Sequence, residues 1–440
     1  MISPELSQRI IQFNPWLVKP KDGNVLFKKY IPAHYIHREI EGPLHNVGKA
    51  VLVIGPRQSG KSTIIWHTIK ELFPNVLFLN MEDPLLRLSL NSPIDFTGLV
   101  EKEYAFIKAV FIDEIQHMEE AGLFIKGIVD TKPHFSLFVT GSSSFDLRSK
   151  TRESLAGRAH RAILYPFSLT EIIKSKGTLN KVAAKHFVEE TVTEQIIHGS
   201  YPAVHLARGN ERKRGLLNDL VEALILRDAS DLFKIKRIDA FRKLLALLAM
   251  QIGNIANVSE LASLCNANVG TVVSHIEILE ESHIVKALRP FAGGKRREIT
   301  SAAKVFFIDN GIRNMLINNF SENLGLRTDG GQLFENWAFT EIQKAMPLLG
   351  SLYFWRSKAN AEVDFVIDFA GKLSGMEVKF THSDRPKLTK SAHSFIEAYA
   401  PERFAFLNLS LDEKIIVGST EVSFITPATM RKWLNHVFQG

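Results

Sequence analysis

The sequence predicts an α/β protein whose first domain is a parallel sheet covered by helices on both faces. Three observations carry this reading. Short apolar runs alternate with helical patterns from 46 to 177, at Val51–Ile54, Val76–Leu79, Val110–Ile112, Leu137–Thr140 and Ala162–Leu164. A glycine-bounded turn, Gly55-Pro56-Arg57-Gln58-Ser59-Gly60-Lys61-Ser62-Thr63, directly follows the first run. The run Ala109-Val110-Phe111-Ile112 ends in the acidic pair Asp113-Glu114. Fully apolar strands separated by helices require cover on both faces, and such sheets bind ligands at the carboxyl ends of their strands.

The turn has the G-x-x-x-x-G-K-[ST] spacing of a phosphate-binding P-loop. Its glycines let the backbone wrap an anion, and the helix that follows aims its first amides at it. The expected nucleotide contacts run from Gly55 through Pro56, Arg57, Gln58, Ser59, Gly60, Lys61 and Ser62 to Thr63. Lys61 reaches the β- and γ-phosphates of ATP, and the Ser62 hydroxyl joins Asp113 in holding Mg²⁺. Glu114 is the expected base for the attacking water. The next strand, Ser136–Thr140, ends in Gly141-Ser142-Ser143-Ser144, which puts Ser142 at a strand tip as the γ-phosphate sensor, with Thr140 as the alternative.

Composition bounds the rest. A length of 440 residues accommodates about three domains. A hydrophobic content of 45% and a charged content of 23% are ordinary for a globular protein. No window approaches the ~18 uninterrupted apolar residues of a membrane span, and Met1-Ile2-Ser3-Pro4-Glu5 has no basic-then-apolar signal, so the expected location is cytoplasmic and away from membranes. The single cysteine, Cys265, excludes an intramolecular disulfide and a Cys-based zinc cluster, and its apolar helical setting predicts a core thiol. The net charge of +7 permits an anionic partner without specifying one.

Residues 1–45 form an N-terminal segment with no assigned role. From 178 to 247, paired leucines at Leu216-Leu217, Leu244-Leu245 and Leu247-Leu248 predict a small helical lid. Its basic cluster, Arg208, Arg212, Lys213 and Arg214, reads as a solvated helix face before it reads as a DNA contact. Between 248 and 320, a Ser-capped helix in Asn257–Ala262 and a second helix with a stripe at Val272, Ile276 and Leu279 predict a helix-turn-helix. The strand Ile284–Leu288, a basic turn at Gly293-Gly294-Lys295-Arg296-Arg297 and a strand through Val305-Phe306-Phe307 complete a winged helix. That module serves either DNA or protein partners.

The last segment, 325–440, carries a second set of carboxylates. Glu335 falls on the helical stretch Leu333–Met346, ahead of the strand Leu352–Arg356. In the later strands, alternation places Glu362 with Asp364, and Glu377 with Lys379, on shared faces. Asp364, Glu377 and Lys379 fit the pattern D-x(n)-E-x-K, in which carboxylates hold Mg²⁺ against a scissile phosphate and a lysine orients the attacking water. Glu335 adds a ligand from the helix. A solvated ion pair across two strands is the alternative explanation of the same residues.

These landmarks resemble a bacterial and archaeal family of AAA+ P-loop ATPases that end in a restriction-endonuclease-like domain of the PD-(D/E)xK type. The similarity rests on the P-loop, Glu82-Asp83-Pro84, Asp113-Glu114-Ile115-Gln116, Thr140-Gly141-Ser142-Ser143, Ser154-Leu155-Ala156-Gly157-Arg158 and Pro166–Glu171. It extends through Gly199-Ser200-Tyr201-Pro202, Arg227-Asp228, Lys304–Gly311 and Phe334-Glu335-Asn336, and departs at Ser62-Thr63 and at Ser200, where Thr-Thr and Gly are usual. The resemblance implies a homo-oligomer, with a hexameric ring as one arrangement, in which an arginine of one subunit enters its neighbour's ATP site. Arg158 is the first candidate, then Arg161, then Arg152. The implied function is an ATP-driven motor on DNA, branched DNA such as four-way Holliday junctions included, with a C-terminal domain that grips or cuts it. A nucleotide switch that binds protein partners is the competing expectation.

Overall fold

The computed structural model describes residues 3–19, 27–45, 49–142, 155–224, 235, 237–291 and 302–439, with the side chains of Pro43, His45 and Ser142 left outside. The chain forms two compact units: residues 1–166 with 281–283, and residues 167–280 with 284–440.

The first unit is built on five parallel strands: β1 (Ala50–Gly55), β2 (Val76–Asn80), β3 (Ala109–Asp113), β4 (Ser136–Ser142) and β5 (Ala159–Ile163), in the order β2-β3-β4-β1-β5. Every residue of β1 and β3 is buried, as their unbroken apolar sequences require. On one face Ile64, Ile65, Trp66 and Ile69 of the helix Lys61–Ile69 pack with Phe111 and Trp16. On the other, Phe96, Phe124, Ile125 and Ile128 come from the helices Pro93–Glu103 and Ala121–Asp130. Because β4 lies between β1 and β3, the P-loop and the Asp113-Glu114 pair emerge at the same end of the sheet.

The N-terminal segment has a structural task. The buried Asn14 side chain donates to the Phe78 carbonyl (2.8 Å) and accepts from the Phe78 amide (2.6 Å). Trp16 Nε1 donates to the Val76 carbonyl (2.8 Å). These bonds cap the open edge of β2, whose unpaired backbone groups would otherwise face solvent.

In the second unit, helices Leu169–Ser175, Lys181–His198, Pro202–Leu206, Asn210–Ala223 and Ile238–Met250 lead into the helix pair Val258–Leu264 and Val269–Glu281. The antiparallel strands β6 (Val285–Leu288) and β7 (Lys304–Phe307) follow. The first helix of the pair is capped by Asn257, which accepts from the Glu260 amide (3.2 Å), rather than by the expected serine. Asn starts the helix two residues earlier because its carboxamide oxygen reaches the third amide equally well. The buried stripe of the second helix is Val272, His275 and Leu279, with Ile276 only partly covered. Cys265 is buried, as expected.

The remaining chain adds a six-stranded sheet: β8 (Gly350–Arg356), β9 (Glu362–Phe369), β10 (Lys372–Val378), β11 (Arg403–Leu407), β12 (Glu413–Val417) and β13 (Thr420–Ile425), in the order β12-β13-β11-β10-β9-β8. The helix Gly330–Ala345, the antiparallel meander β8-β9-β10, the helix Lys390–Tyr399 and the parallel strand β11 succeed one another along the chain. Phe306 of β7 stacks on Phe339 (ring centroids 4.6 Å apart) and meets Phe365 of β9 (5.7 Å). Apart from 281–283, the described residues of 178–247, 248–320 and 325–440 belong to one compact unit, which also includes the helix Leu169–Ser175.

Candidate functional site

The P-loop of the first unit is shaped by backbone that side chains resist. Gly55 has φ +151°, and a Cβ there would collide with the Leu164 carbonyl. Gly60 has φ +96° and opens the helix that carries Lys61 and Ser62. The buried Lys61 ammonium donates to the carbonyls of Gly55 (3.2 Å) and Pro56 (2.9 Å), so it lies across the mouth of its own loop. The Ser62 hydroxyl donates to both Asp113 oxygens (3.0 and 2.9 Å). Two residues from separate elements thus present hard oxygens to one point, the donor set that suits Mg²⁺.

Thr140 Oγ1 also hydrogen-bonds Asp113, and it accepts from the Glu114 amide (3.4 Å). Burial pushes the Asp113 carboxyl above its usual range, with the Thr140 and Ser62 hydrogen bonds pulling the other way. Glu114 takes a left-handed backbone conformation (φ 55°) at the strand end, and Gln116 donates to its carboxylate. Ser142 ends β4 opposite Gly55 in the register, but its side chain lies outside the described residues, as do Ser143, Ser144 and Arg152. His117, which sequence reasoning passed over, joins Glu82 and Glu114 in a cluster whose ligand atoms lie within 4.8 Å of one another. Its signal was three residues of spacing from Glu114, too common a pattern to single out.

Arg158 stands at the opposite end of the sheet. Its carbonyl accepts from the Ala50 amide (3.0 Å) at the start of β1, and its guanidinium pairs with Asp130 (2.6 Å). The length of β1, about 17 Å at 3.3 Å per residue, separates it from the P-loop of its own chain. Arg161 lies midway along β5, beside Leu52.

In the second unit, the register pairs Phe365 with Met376, so the next pair outward is Asp364 and Glu377. Asp364 accepts from the Val378 amide (2.8 Å). Glu377 is held on one oxygen by the Thr389 hydroxyl (2.5 Å) and on the other by Lys379 (2.9 Å). Glu335 and Glu362 line the same cavity of about 490 Å³, with Asp364, Lys379 and Arg356. A cation the sequence reading did not place there completes the wall: Lys304 of β7 lies 2.6 Å from Glu362 Oε1 and 3.4 Å from Glu335 Oε1. Burial and then repulsion from Asp364 push the Glu335 carboxyl up to about 8, against the pull of Lys304. Burial likewise raises Asp364 and Glu377. Burial works against the charge on Lys304, yet Glu335, Asp364 and Glu362 together hold its pKa above the usual value.

The other basic candidates have mixed surroundings. Lys213 pairs with Glu194 (2.5 Å) and the Arg214 guanidinium sits over the Phe320 ring (5.1 Å), while Arg208 and Arg212 are exposed. The Lys295-Arg296-Arg297 turn and Arg227-Asp228 lie outside the described residues. No helix among the described residues is long and apolar enough to cross a membrane.

The first unit's sheet and loop define a P-loop nucleotide-binding domain, and residues 47–173 match the family described as an AAA domain. Residues 189–323 and 330–425 match two further families, the domains of unknown function DUF8612 and DUF4143. The AAA domain match is thus followed along the chain by these two. It is similar to an uncharacterised protein of Methanocaldococcus jannaschii, 24% identical over 371 residues, spanning 79% of this chain and 80% of that protein. An uncharacterised Mycobacterium tuberculosis protein is 23% identical over 350 residues, covering 78% of this chain and 73% of its own length. Among solved structures, the Walker-type ATPase of Pyrococcus abyssi aligns with a TM-score of 0.41 at 14% identity, covering 66% of this chain and 97% of that one. The Aeropyrum pernix Orc1 protein in complex with DNA aligns with a TM-score of 0.31 at 15% identity, covering 66% and 94%.

Proposed function

We propose that this chain hydrolyses ATP in its first unit and uses the second to engage DNA, branched DNA included, at a divalent-metal site that cuts or grips the phosphodiester backbone. The observation that carries the ATPase reading is the meeting of Ser62 and Asp113 at 2.9 Å beside Lys61, with Glu114 next along the strand end. Mg²⁺, bound with ATP, supplies charge neutralisation on the phosphates. Lys61 would exchange its two carbonyl partners for phosphate oxygens, and Ser62 and Asp113 would hold the ion. Glu114 takes the proton of the attacking water, a role in which the nearby Gln116 amide fixes the direction of its carboxylate. Arg158, remote from its own loop, serves a neighbouring subunit in a homo-oligomer.

The DNA reading is supported by the helix pair with its two strands, read as a winged helix, and by Asp364, Glu335 and Lys379 on one cavity wall, with the buried Glu377 behind it paired to Lys379. Carboxylate oxygens beside a lysine suit a hard divalent ion held against a phosphate. The order of helix, three-stranded meander, helix and parallel strand favours a restriction-endonuclease-like domain. The test is a labelled-DNA gel assay on a four-way junction, a fork and a linear duplex with Mg²⁺, with and without ATP, comparing the parent with Lys61→Ala and Glu377→Ala. Strand separation that requires ATP and Lys61 is expected. Its absence together with an ATPase rate indifferent to DNA would remove the DNA reading.

A further inference from the structure

We propose that Lys304 is a built-in cation that takes one of the two positive poles of the acidic cavity, so that the site accepts a single divalent ion, at Asp364 and Glu377. The inference rests on reading the cavity as a metal site and narrows it. The carboxylates divide into two pairs. Glu335 and Glu362 face Lys304, while Glu377 pairs with Lys379 and lies next to Asp364 across β9 and β10.

The two lysines differ in what they can do. The Lys379 side chain is 44% exposed and is free to swing its ammonium into water when a metal ion arrives. The Lys304 side chain is 5% exposed and lies over the Phe354 ring, 5.4 Å from its centroid. Its backbone is pinned as well: the Val305 carbonyl accepts from the Gly253 amide (3.0 Å), and the neighbouring Phe306 ring is stacked on Phe339. Moving that ammonium away from its acids would leave a buried charge unpaired, which costs several kcal/mol. A second divalent ion at Glu335 and Glu362 would have to sit beside it.

Lys304 is a positioning residue in this scheme, because it touches the acids and not the ion.

The experiment counts Mn²⁺ bound to the full chain without nucleotide, by the electron paramagnetic resonance of free Mn²⁺, in an Asp113→Asn, His117→Ala, His67→Ala background that removes the P-loop ligand and one histidine from each of the first unit's two clusters able to hold an ion. The parent background should bind one ion and Lys304→Met two, with Lys304→Arg restoring one. Two ions in the parent, or one in both parent and Lys304→Met, would overturn the proposal. No ion in the parent would instead remove the metal reading on which it rests. Should Lys304→Met fail to fold, as judged by its melting curve, single carboxamides decide. Glu362→Gln should keep the ion with affinity within about threefold, and Asp364→Asn and Glu377→Gln should weaken it by about tenfold or more. The reverse ranking would contradict the assignment.

Discussion

The P-loop of the first unit and the acidic cavity of the second each place a buried lysine among oxygen atoms, and they do so in different ways. Lys61 rests on two carbonyls of its own loop. Lys304 rests on two carboxylates contributed by a helix and a strand. A carbonyl dipole is readily exchanged for a phosphate oxygen, so the first arrangement is a site that waits for an anion from outside. A buried ammonium between carboxylates is held by full charges in a medium that screens them poorly. The comparison teaches that a lysine in an oxygen-rich pocket signals ligand exchange or internal neutralisation according to the charge of its resting partners.

The sharpest way to break the first half of that contrast is Lys61→Ala. Loss of the phosphate clamp should lower ATP hydrolysis by about 1,000-fold or more, and a steady-state phosphate-release assay that found a near-parental rate would refute the role given to Lys61. Glu114→Gln should keep ATP binding, measured by a fluorescent analogue, while turnover drops by about 100-fold. Equal turnover in the variant and the parent would mean that another group activates the water. Arg158→Ala should also lower turnover, and only at concentrations where the chain assembles. Mixing it with Lys61→Ala protein should then restore activity by pairing intact half-sites, and a mixture that stays inactive would argue for self-contained sites.

Smaller effects test how the second unit is held together. Gly311→Ala would drive a Cβ into the His198 carbonyl, so a loss of about 2 kcal/mol or more in denaturant stability is expected. Burial pushes the Asp329 carboxyl upward, but hydrogen bonds from Arg327 and Arg313 override it and hold it down at about 2. Its contribution is therefore complete above the unfolded value near 3.8 and fades as pH falls through about 2. Asp329→Asn should cost roughly 1–2 kcal/mol at neutral pH, and the difference from the parent should shrink in that acid window. A difference independent of pH would assign the effect to packing.

Much of the first unit was legible because its determinants are contiguous. A P-loop needs one turn, and apolar runs ending in Gly55, Asp113 and Gly141-Ser142 announce a sheet with its chemistry at one end. The shared faces of Glu362 with Asp364 and of Glu377 with Lys379 were readable from strand alternation, while the register of β9 on β10 sets Asp364 beside Glu377. What escaped lay in contacts between distant segments. Nothing local marks Asn14 and Trp16 as the cap of an edge strand 60 or more residues away. Lys304 stood in the sequence as the residue before the strand Val305-Phe306-Phe307, and the Phe306, Phe339 and Phe365 packing brings it to Glu335 and Glu362. Several motif residues turn out to have structural work: Asp309 accepts from the Ser200 and Ile312 amides (2.6 and 3.1 Å), joining the turn at Gly199-Ser200 to the helix Asn310–Leu316. The partner of Arg158 was likewise placed by tertiary structure, at Asp130.

The measurement that goes most directly to the central claim is ATP turnover by the parent, Lys61→Ala and Glu114→Gln, each with and without a four-way DNA junction at low salt. The account predicts hydrolysis that rises with the junction in the parent and falls to background in both variants. Turnover unchanged by DNA, or persisting in Lys61→Ala, would contradict it.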